Sequence, residues 1–507
     1  MIPDPTSTPA LAADPWWSRH PELAALLLVA ASTLFHLWYA GLPELSPQEA
    51  YYWLWGKHLD WSYYDHPPLS AWTIRALGEV LGDSERAIRS AAAFHSCLFS
   101  LFFFLAARRL LGARGALAAV LISLLTPLFA LGQVVITPDG PLLAAWAAAM
   151  YFTVRALDEE RGPWLLAAGL ATGLAALSKY TGWLLAPQIL LALLLDPRGR
   201  RMLLSPWPWA GLVLALACFS PVVLWNASHG WVSFGFQFGQ RAAGAASPSI
   251  ARVLRFVGLQ LLVPSPVLAL ALWAAAFGAL WRLGDRTFRM AALFSVPPLA
   301  LFAAVSPFTW VKGNWPAVAW PAAMIAAVAF WQVGRAPRWV VGTALGLAAF
   351  FTVYLHLAAV VPALPFSARD DTTRGWRALA ARVQQERERI GPGAFVIGCY
   401  YKTAALLHYY LPGRPPTSSS EALGGNGLQF RFWTDPALRA GREGVVVRDE
   451  RDGRHWCPEL ESACRPLEEL PSLEVERAGM WDLSGRLPRR VATFRLWRCR
   501  YAGAPLR

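Results

Sequence analysis

The chain has 507 residues, of which 55% are hydrophobic and only 16% are charged, below the roughly 25% charged residues of an ordinary soluble domain. This composition indicates a protein with many membrane-spanning helices. The net charge of +13 does not indicate nucleic-acid binding, because the basic residues are spread over short loops and a C-terminal tail rather than gathered in one stripe with stacking aromatics.

Apolar runs near the roughly 20 residues that cross a bilayer predict eleven spanning segments. In chain order they are 23–42, 87–107, 115–135, 141–156, 163–178, 181–196, 207–226, 257–281, 290–309, 316–333 and 339–361. The stretch before Leu23 lacks the basic-then-apolar order of a cleavable signal peptide. The first run is therefore predicted to remain as a helix.

Loops rich in arginine alternate with loops that have none. Each of the first kind carries at least two arginines: "RRLLGAR" (108–114), "RALDEER" (155–161), "RGRR" (198–201), "RLGDRTFR" (282–289) and "RAPR" (335–338). The positive-inside rule places these loops and the tail 1–22 in the cytoplasm. The transmembrane domain is then 23–361, its first outer loop is 43–86, and 362–507 lies outside.

The region 362–507 differs in character from the spans. A charged helical pattern at 369–389 precedes alternating runs at 393–401, 444–450 and 491–499 that predict strands. We therefore expect a small α+β domain outside the cytoplasm, so that the fold class is an all-α polytopic membrane protein with a small C-terminal α+β domain.

The six cysteines divide into two groups. Cys97 and Cys218 lie within apolar runs and are predicted to be small buried hydrophobic residues. The other four lie in the exported tail, where one or two disulfides are expected. Cys457 and Cys464 are the closest pair in sequence. A zinc site is disfavoured because no CxxC spacing occurs.

Ionisable residues at the ends of apolar spans are candidate functional residues, because charge near a membrane is costly. Four predicted outer loops carry such residues. The first loop has Glu49, Lys57, His58, Asp60, Asp65 and His66, and the others contribute Asp139, Lys179 and Lys312. We expect these loops to converge on one site at the outer membrane surface.

The first outer loop contains two predicted interfacial helices, each opened by proline: "PQEAYYWLW" from Pro47 and "PPLSAWTIRALGEVLG" from Pro67. Tyr51, Trp53 and Trp55 are predicted to form an aromatic belt at the membrane interface. Simpler roles stay open for the charged residues. Asp65 and Asp139 can be helix N-caps, and Lys179 can extend to the interface as an anchor.

These segments resemble bacterial GT-C glycosyltransferases related to protein O-mannosyltransferases (glycosyltransferase family 39) and to the lipid A aminoarabinose transferase. The resemblance covers most of the chain. It rests on "YYDHPPL" in the first loop, "ITPDGPLLAAWAAAMYF" at 136–152, "GLAALSKYTGWLL" at 173–185 and "KGNWPAVAWPA" at 312–322, with "YYLPGRPP" and "NGLQFRFW" in the tail.

The resemblance implies that a sugar moves from a polyprenyl-phosphate carrier to an acceptor on the outer side, with inversion at the anomeric carbon. In the wider family an Asp-Glu pair opens the first loop and the Asp is the general base. Here the pair reads Gln48-Glu49, and an amide cannot accept a proton. The candidate catalytic acids are therefore Glu49, Asp65 and Asp139.

The candidate substrate-binding residues lie in the same outer segments: Gln48, Tyr52, His66, Lys179, Tyr180, Lys312, Asn314 and Trp315. The lysines are suited to stabilise a departing phosphate, and Arg241 is a weaker candidate. No cofactor is assigned. A divalent metal near Asp65 and His66 is left open, since two ligands do not establish a site.

The predicted function is thus a glycosyltransferase of a bacterial inner membrane, with its active site and C-terminal domain in the periplasm. Its partners would be a lipid-linked sugar donor, membrane lipids and a lipid, glycan or protein acceptor. The alternative is a transporter or flippase of lipid-linked sugars, which is disfavoured because polar groups lie at span ends rather than at the midplane and no repeat is evident. The sequence names neither the sugar nor the acceptor.

Overall fold

The computed structural model describes residues 15–240, 247–334, 337–361, 371–433, 437–452, 460–476 and 490–503, with residues 364, 435 and 457. The predicted cytoplasmic tail is described only from Pro15 onward, and Arg241 lies outside the described residues.

Most of the described chain is helical. Six helices are long and apolar enough to cross a membrane: Pro21–Tyr39, Glu85–Leu125, Asp139–Glu159, Trp207–Ser228, Arg286–Val305 and Arg338–Val360. A seventh span is formed if the bent pair Ile250–Leu262 and Pro266–Arg282 counts as one. Shorter helices join these: Trp16–Arg19, Pro127–Gly132, Pro163–Ser178, Leu185–Leu194, Pro197–Leu203, Val232–Phe234 and Trp320–Gln332.

The eleven predicted spans do not correspond one to one with these helices. The predicted span 87–107 lies in the first half of Glu85–Leu125, which breaks at Gly112, where φ is +75° and glycine is favoured. The predicted span 115–135 covers its second half and continues through the separate short helix Pro127–Gly132. The predicted spans 163–178 and 181–196 are short apolar helical segments. Several apolar helices are therefore confirmed, whereas the count of eleven spans stays a prediction.

Burial differs sharply between the long helices. The most apolar window of Asp139–Glu159 is 78% buried within the protein, whereas that of Arg338–Val360 is only 17% buried. The helix Asp139–Glu159 is rich in alanine, and these small side chains let neighbouring helices approach closely. A Cβ added at Gly169 would lie 2.1 Å from the carbonyl oxygen of Gly211, so two further helices meet backbone to backbone.

The first outer loop contains the helices Pro47–Lys57 and Leu69–Leu81. Its aromatic residues do not form an interfacial belt, which corrects the prediction. Tyr51, Trp53 and Trp55 are at most 2% exposed. The Tyr51 ring lies 4.5 Å from that of Tyr401, and the Trp53 ring lies 5.0 Å from that of Tyr409. The sequence pattern missed this because an aromatic face meets protein and lipid with the same apolar character.

The C-terminal region contains a four-stranded sheet of order β1-β2-β4-β3. The strands are β1 (Phe395–Gly398), β2 (Glu443–Asp449), β3 (Cys464–Glu476) and β4 (Arg490–Tyr501). β1 and β2 are parallel, whereas β4 is antiparallel to both its neighbours. The helices of this region are Trp376–Ile390, Tyr401–Tyr410 and Leu460–Ala463. The first two of these helices share one hydrophobic core with the first-loop helices. Leu460 and Ala463 belong to a second core, with Phe395 and Val446 of the sheet.

The disulfides join Cys399 to Cys457 and Cys464 to Cys499. The pairing of Cys457 with Cys464 suggested by sequence proximity is therefore wrong. Cys464 begins β3, and its neighbouring strand β4 carries Cys499, so sheet pairing rather than sequence distance selects the partner. Cys97 and Cys218 are free and half-buried rather than fully buried.

Candidate functional site

A polar cavity of about 170 Å³ lies where the first outer loop meets three further loops. Its lining residues come from four segments of the chain: Gln48, Tyr52, His66, Thr137, Pro138, Asp139, Lys179, Lys312, Asn314 and Trp315. Eight of the candidate site residues named from the sequence are among them. The candidates outside the lining are Glu49, Asp65 and Tyr180.

Asp139 is the carboxylate that lines this cavity. It is the first residue of the helix Asp139–Glu159, where the helix dipole stabilises a negative charge. The Lys179 ammonium donates to Oδ1 at 2.8 Å, and the Asn314 amide donates to Oδ2 at 2.6 Å. No side-chain cap bond forms at this helix end, so Asp139 is not simply an N-cap.

Lys179 follows the helix Pro163–Ser178, and it is only 8% exposed. It therefore does not extend to the interface as an anchor. Its ammonium also lies 5.9 Å from the centre of the Trp315 ring. Lys312 lines the same cavity on the segment that leads into Asn314 and Trp315. Two cations and one carboxylate thus give the cavity a net positive lining at neutral pH.

Glu49 lies beneath the cavity rather than in its wall. Its side chain is fully buried, and both oxygens accept from the Arg89 guanidinium, at 2.8 and 2.9 Å. The backbone N–H of Ser46 donates to Oε2 at 2.8 Å, which completes a capping box at the start of the helix. Sequence reasoning missed Arg89, although an arginine inside the predicted span 87–107 was a signal for a buried partner.

Asp65 is also buried, at 6% exposure, and lies beside the cavity-lining His66. The Tyr51 hydroxyl donates to its Oδ1 at 3.2 Å. Burial raises the pKa of Tyr51 well above its ordinary value, and the negative charge of Asp65 raises this pKa further. This tyrosine therefore stays protonated and keeps donating to the carboxylate at physiological pH.

Tyr180 lies in a separate apolar cluster with Phe219 and Phe234. Its hydroxyl is 2.5 Å from the Ser233 hydroxyl. The sequence placed it at the site because it follows Lys179. The 3₁₀ turn Tyr180–Leu184 directs the two neighbouring side chains to different surroundings.

A second cavity, of about 270 Å³, borders the first and is lined mainly by apolar side chains. Both cavities share Thr137, Asp139 and Asn314. The second one extends between the helices Glu85–Leu125, Pro127–Gly132 and Asp139–Glu159. The Asp139–Asn314 pair therefore separates a polar chamber from an apolar one.

The described residues contain no group of three or more His, Cys, Asp or Glu side chains placed to hold a metal ion. Asp65 and His66 by themselves provide too few ligands for a structural or catalytic ion.

The structure thus combines long apolar helices, first-loop helices packed against the C-terminal region, and a cavity lined by one carboxylate and two lysines. Comparison with known proteins confirms the resemblance found in the sequence. The family described as dolichyl-phosphate-mannose-protein mannosyltransferase matches residues 65–225, about a third of the chain.

Two relatives come from Rhizobium johnstonii. The lipid A galacturonosyltransferase RgtD is 28% identical over 60% of this chain and 65% of its own length. The lipopolysaccharide core galacturonosyltransferase RgtA is 30% identical over 41% of this chain and 42% of its own length. The matched region thus spans less than two thirds of each of these relatives.

The fold is similar to that of ArnT from Cupriavidus metallidurans. The structure of that protein without ligand superposes with a TM-score of 0.63 and 18% identity, over 93% of this chain and 97% of ArnT. The structure of ArnT bound to undecaprenyl phosphate gives a TM-score of 0.61 over the same shares. This likeness shows the shared fold.

Proposed function

We propose that the protein is a glycosyltransferase that moves a sugar from a polyprenyl-phosphate donor to an acceptor hydroxyl at the outer membrane surface. The observation that carries this proposal is the position of Asp139. Its carboxylate is held by Lys179 and Asn314 in a wall shared by a polar and an apolar cavity. A substrate with a charged head and a long apolar chain fits that pair of cavities.

Asp139 is the general base in this proposal. The acceptor oxygen attacks the anomeric carbon of the donor, the bond from that carbon to the phosphate oxygen breaks, and the phosphate leaves with the electron pair. The hydroxyl proton moves to a lone pair of Asp139 that its two donors leave unused, since each carboxylate oxygen can accept more than one hydrogen bond. Attack opposite the leaving phosphate inverts the anomeric centre.

Lys179 and Lys312 stabilise the departing phosphate. Charge grows on its oxygens as the bond breaks, and cations held in a partly buried site lower the energy of that transition state. Lysine is a point charge without fixed bidentate geometry, which suits the headgroup of a mobile lipid. Gln48, Tyr52, His66 and Trp315 then form the sides of the sugar site.

Asp65 and Glu49 have other roles in this proposal. Asp65 orients the loop that carries His66, through the bond from Tyr51. Glu49 neutralises Arg89 and fixes the start of the loop. The apolar cavity takes the first units of the isoprenoid chain, because apolar walls favour hydrocarbon.

The relatives suggest the sugar and the acceptor. Both proteins from Rhizobium johnstonii are named for galacturonosyl transfer to lipid A or to the lipopolysaccharide core. We therefore propose a uronosyl donor and a lipopolysaccharide acceptor for this chain. The two lysines of the cavity are compatible with the extra carboxylate of such a sugar.

The setting follows from the topology predicted above. We propose that the chain lies in a bacterial inner membrane, with the cavity and the region 362–507 on the periplasmic side. A flippase of lipid-linked sugars is not supported by the comparisons, and both relatives from Rhizobium johnstonii are named as transferases.

Reconstituted proteoliposomes with a radiolabelled polyprenyl-phosphate-galacturonate donor and lipid A test this proposal. Labelled lipid A is the expected product. Movement of the labelled lipid across the bilayer without product would overturn the proposal in favour of transport. If neither product nor movement is observed, the proposal is overturned in favour of a protein that only binds the lipid. Polyprenyl-phosphate-mannose and polyprenyl-phosphate-aminoarabinose are the matched donors for sugar choice.

A further inference from the structure

The helix Ile250–Leu262, called the surface helix below, meets the segment Pro266–Arg282 at an angle of 104°. Pro264 and Pro266 flank the break, and Ser265 between them has a φ of +85°, outside helical geometry. At 1.5 Å per residue the surface helix is about 20 Å long, too short to cross a bilayer. If Pro266–Arg282 crosses the membrane, the surface helix lies close to the membrane plane.

Its two faces differ in a way that fits this position. Ile250, Leu254 and Val257 recur at helical spacing and are 72%, 65% and 41% exposed. Phe256 and Gln260, on the opposite face, are buried against the protein. An exposed apolar stripe on a helix in the membrane plane is typical of an interfacial helix.

Two arginines, Arg252 and Arg255, lie on the side of this helix away from the apolar stripe. The Arg252 guanidinium donates to the carbonyl oxygens of Pro307 at 2.9 Å and Ser247 at 3.3 Å. The Arg255 guanidinium lies 3.1 Å from the centre of the Trp310 ring, and Trp310 is itself 52% exposed. Within the described part of the chain neither arginine has a carboxylate within 4.0 Å. No carboxylate of the described residues therefore compensates either charge.

We propose that the surface helix is a lipid-binding element, in which Arg252 and Arg255 bind the phosphate of an anionic phospholipid while the apolar stripe enters the acyl region. Arginines on the polar side of an interfacial helix, one of them stacked on a half-exposed tryptophan, match the charge of such a headgroup. A zwitterionic phospholipid fits less well, because its ammonium group is repelled by the two guanidinium groups.

The bound lipid also sets the position of the cavity wall. The Gln260 amide of the surface helix donates to the carbonyl oxygen of Gly313 at 3.1 Å. A Cβ on Gly313 would lie 2.8 Å from the Val263 side chain, so the two segments are in close contact. Lys312 and Asn314 flank Gly313 and line the polar cavity. A lipid that holds the surface helix thus holds the segment 312–315.

Native mass spectrometry of the full chain with an equimolar mixture of phosphatidylglycerol and phosphatidylcholine tests the inference without an activity assay. The wild type should retain phosphatidylglycerol preferentially. The variant R252Q/R255Q should reduce that preference about tenfold. The matched control R439Q/R442Q removes the same charge from the C-terminal region and should keep the wild-type preference. Equal retention by wild type and R252Q/R255Q, or an equal loss in the control, would overturn the proposal.

A nitroxide at position 254 provides a second measurement. The label is attached to L254C in a C97A/C218A background, and the protein is placed in phosphatidylglycerol vesicles. Collisions with oxygen should dominate over those with a water-soluble nickel chelate, as expected for a residue in the acyl region. A label as accessible to nickel as one placed at the exposed position 439 would contradict the membrane position of this helix.

Discussion

Arg89 and Glu49 form a buried, two-pronged ion pair between the helix Glu85–Leu125 and the first outer loop. The same guanidinium donates to the carbonyl oxygens of Ala40, Pro43 and Glu44, at 2.7 to 2.8 Å. One side chain therefore fixes the path of the chain as it leaves the first membrane helix. The ion pair thereby fixes the start of the helix Pro47–Lys57, from which Gln48 and Tyr52 line the cavity.

Glu49→Gln should act through folding. It leaves the Arg89 charge buried without its partner, and breaking a buried pair costs about 3–5 kcal/mol. We expect a lower melting temperature in detergent and less folded protein. Transfer activity per folded molecule should fall far less than in Asp139→Asn. A Glu49→Gln protein with wild-type stability and no activity would instead make Glu49 the base.

Asp139→Asn should almost abolish sugar transfer. The amide keeps the shape of the side chain but cannot accept the acceptor proton, and such proton transfer is worth about 100- to 10,000-fold in rate. Single-turnover transfer in proteoliposomes measures the loss. Glu79→Gln, an exposed change on the neighbouring helix Leu69–Leu81, is the control and should retain full activity. Wild-type rates in Asp139→Asn would exclude this base.

Lys179→Gln should lower the rate of transfer about 100- to 1,000-fold, the usual cost of removing one group that stabilises developing negative charge. Because the ammonium lies 2.8 Å from Asp139, the two residues act as a unit. The double variant D139N/K179Q should therefore lose much less than the product of the single losses. If the loss of rate in the double variant equals the product of the two single losses, the two residues act independently.

Removing the disulfide between Cys399 and Cys457 should destabilise the C-terminal region. Its closed loop spans 58 residues, for which chain entropy predicts about 4 kcal/mol. Thermal unfolding of C399S/C457S should show a separate early transition, which C97A/C218A should lack. Peptide mapping without reduction should recover the peptide containing residue 399 linked to that containing residue 457. Recovery of a 457–464 link would contradict the structure.

The contribution of Glu421 to the stability of the C-terminal region should fall as pH rises from about 5 to 7.5. Burial, with a smaller contribution from the negative charge of Asp435, raises the pKa of Glu421 from 4.5 to about 7. A raised carboxyl pKa means that the folded state binds the proton more tightly than the unfolded state. The stabilisation is therefore complete below pH 4.5 and is lost as pH passes through 7.

Glu421→Gln should flatten this pH dependence, because the amide has no proton to lose. The effect is at most about 3 kcal/mol, and partial exposure of the side chain reduces it. Melting temperatures of wild type and variant between pH 5 and pH 8 measure it, with Glu461→Gln as an exposed control. A wild type that gains stability relative to Glu421→Gln as pH rises over this range would have the wrong sign and would exclude the assignment.

The sequence by itself determined the membrane character, many of the apolar helices, three of the four described strands and most residues of the cavity. It did not predict β3. Long apolar runs indicate the membrane character directly, since the helices that cross a bilayer must be long and apolar. Charged residues at span ends identified Asp139, Lys179 and Lys312, because such residues are costly unless they have a role. The family resemblance added the first-loop residue Gln48.

Only the tertiary structure decided which partner each of these residues has. Glu49 and Asp139 look alike in sequence, as acids at the start of outer helices, yet one pairs with Arg89 in the interior and the other with Lys179 in a cavity. The burial of Trp53 and Trp55 and the pairing of Cys464 with Cys499 were decided in the same way. Each of these features depends on a contact between distant parts of the chain. The local sequence around a residue does not determine which distant residue it contacts.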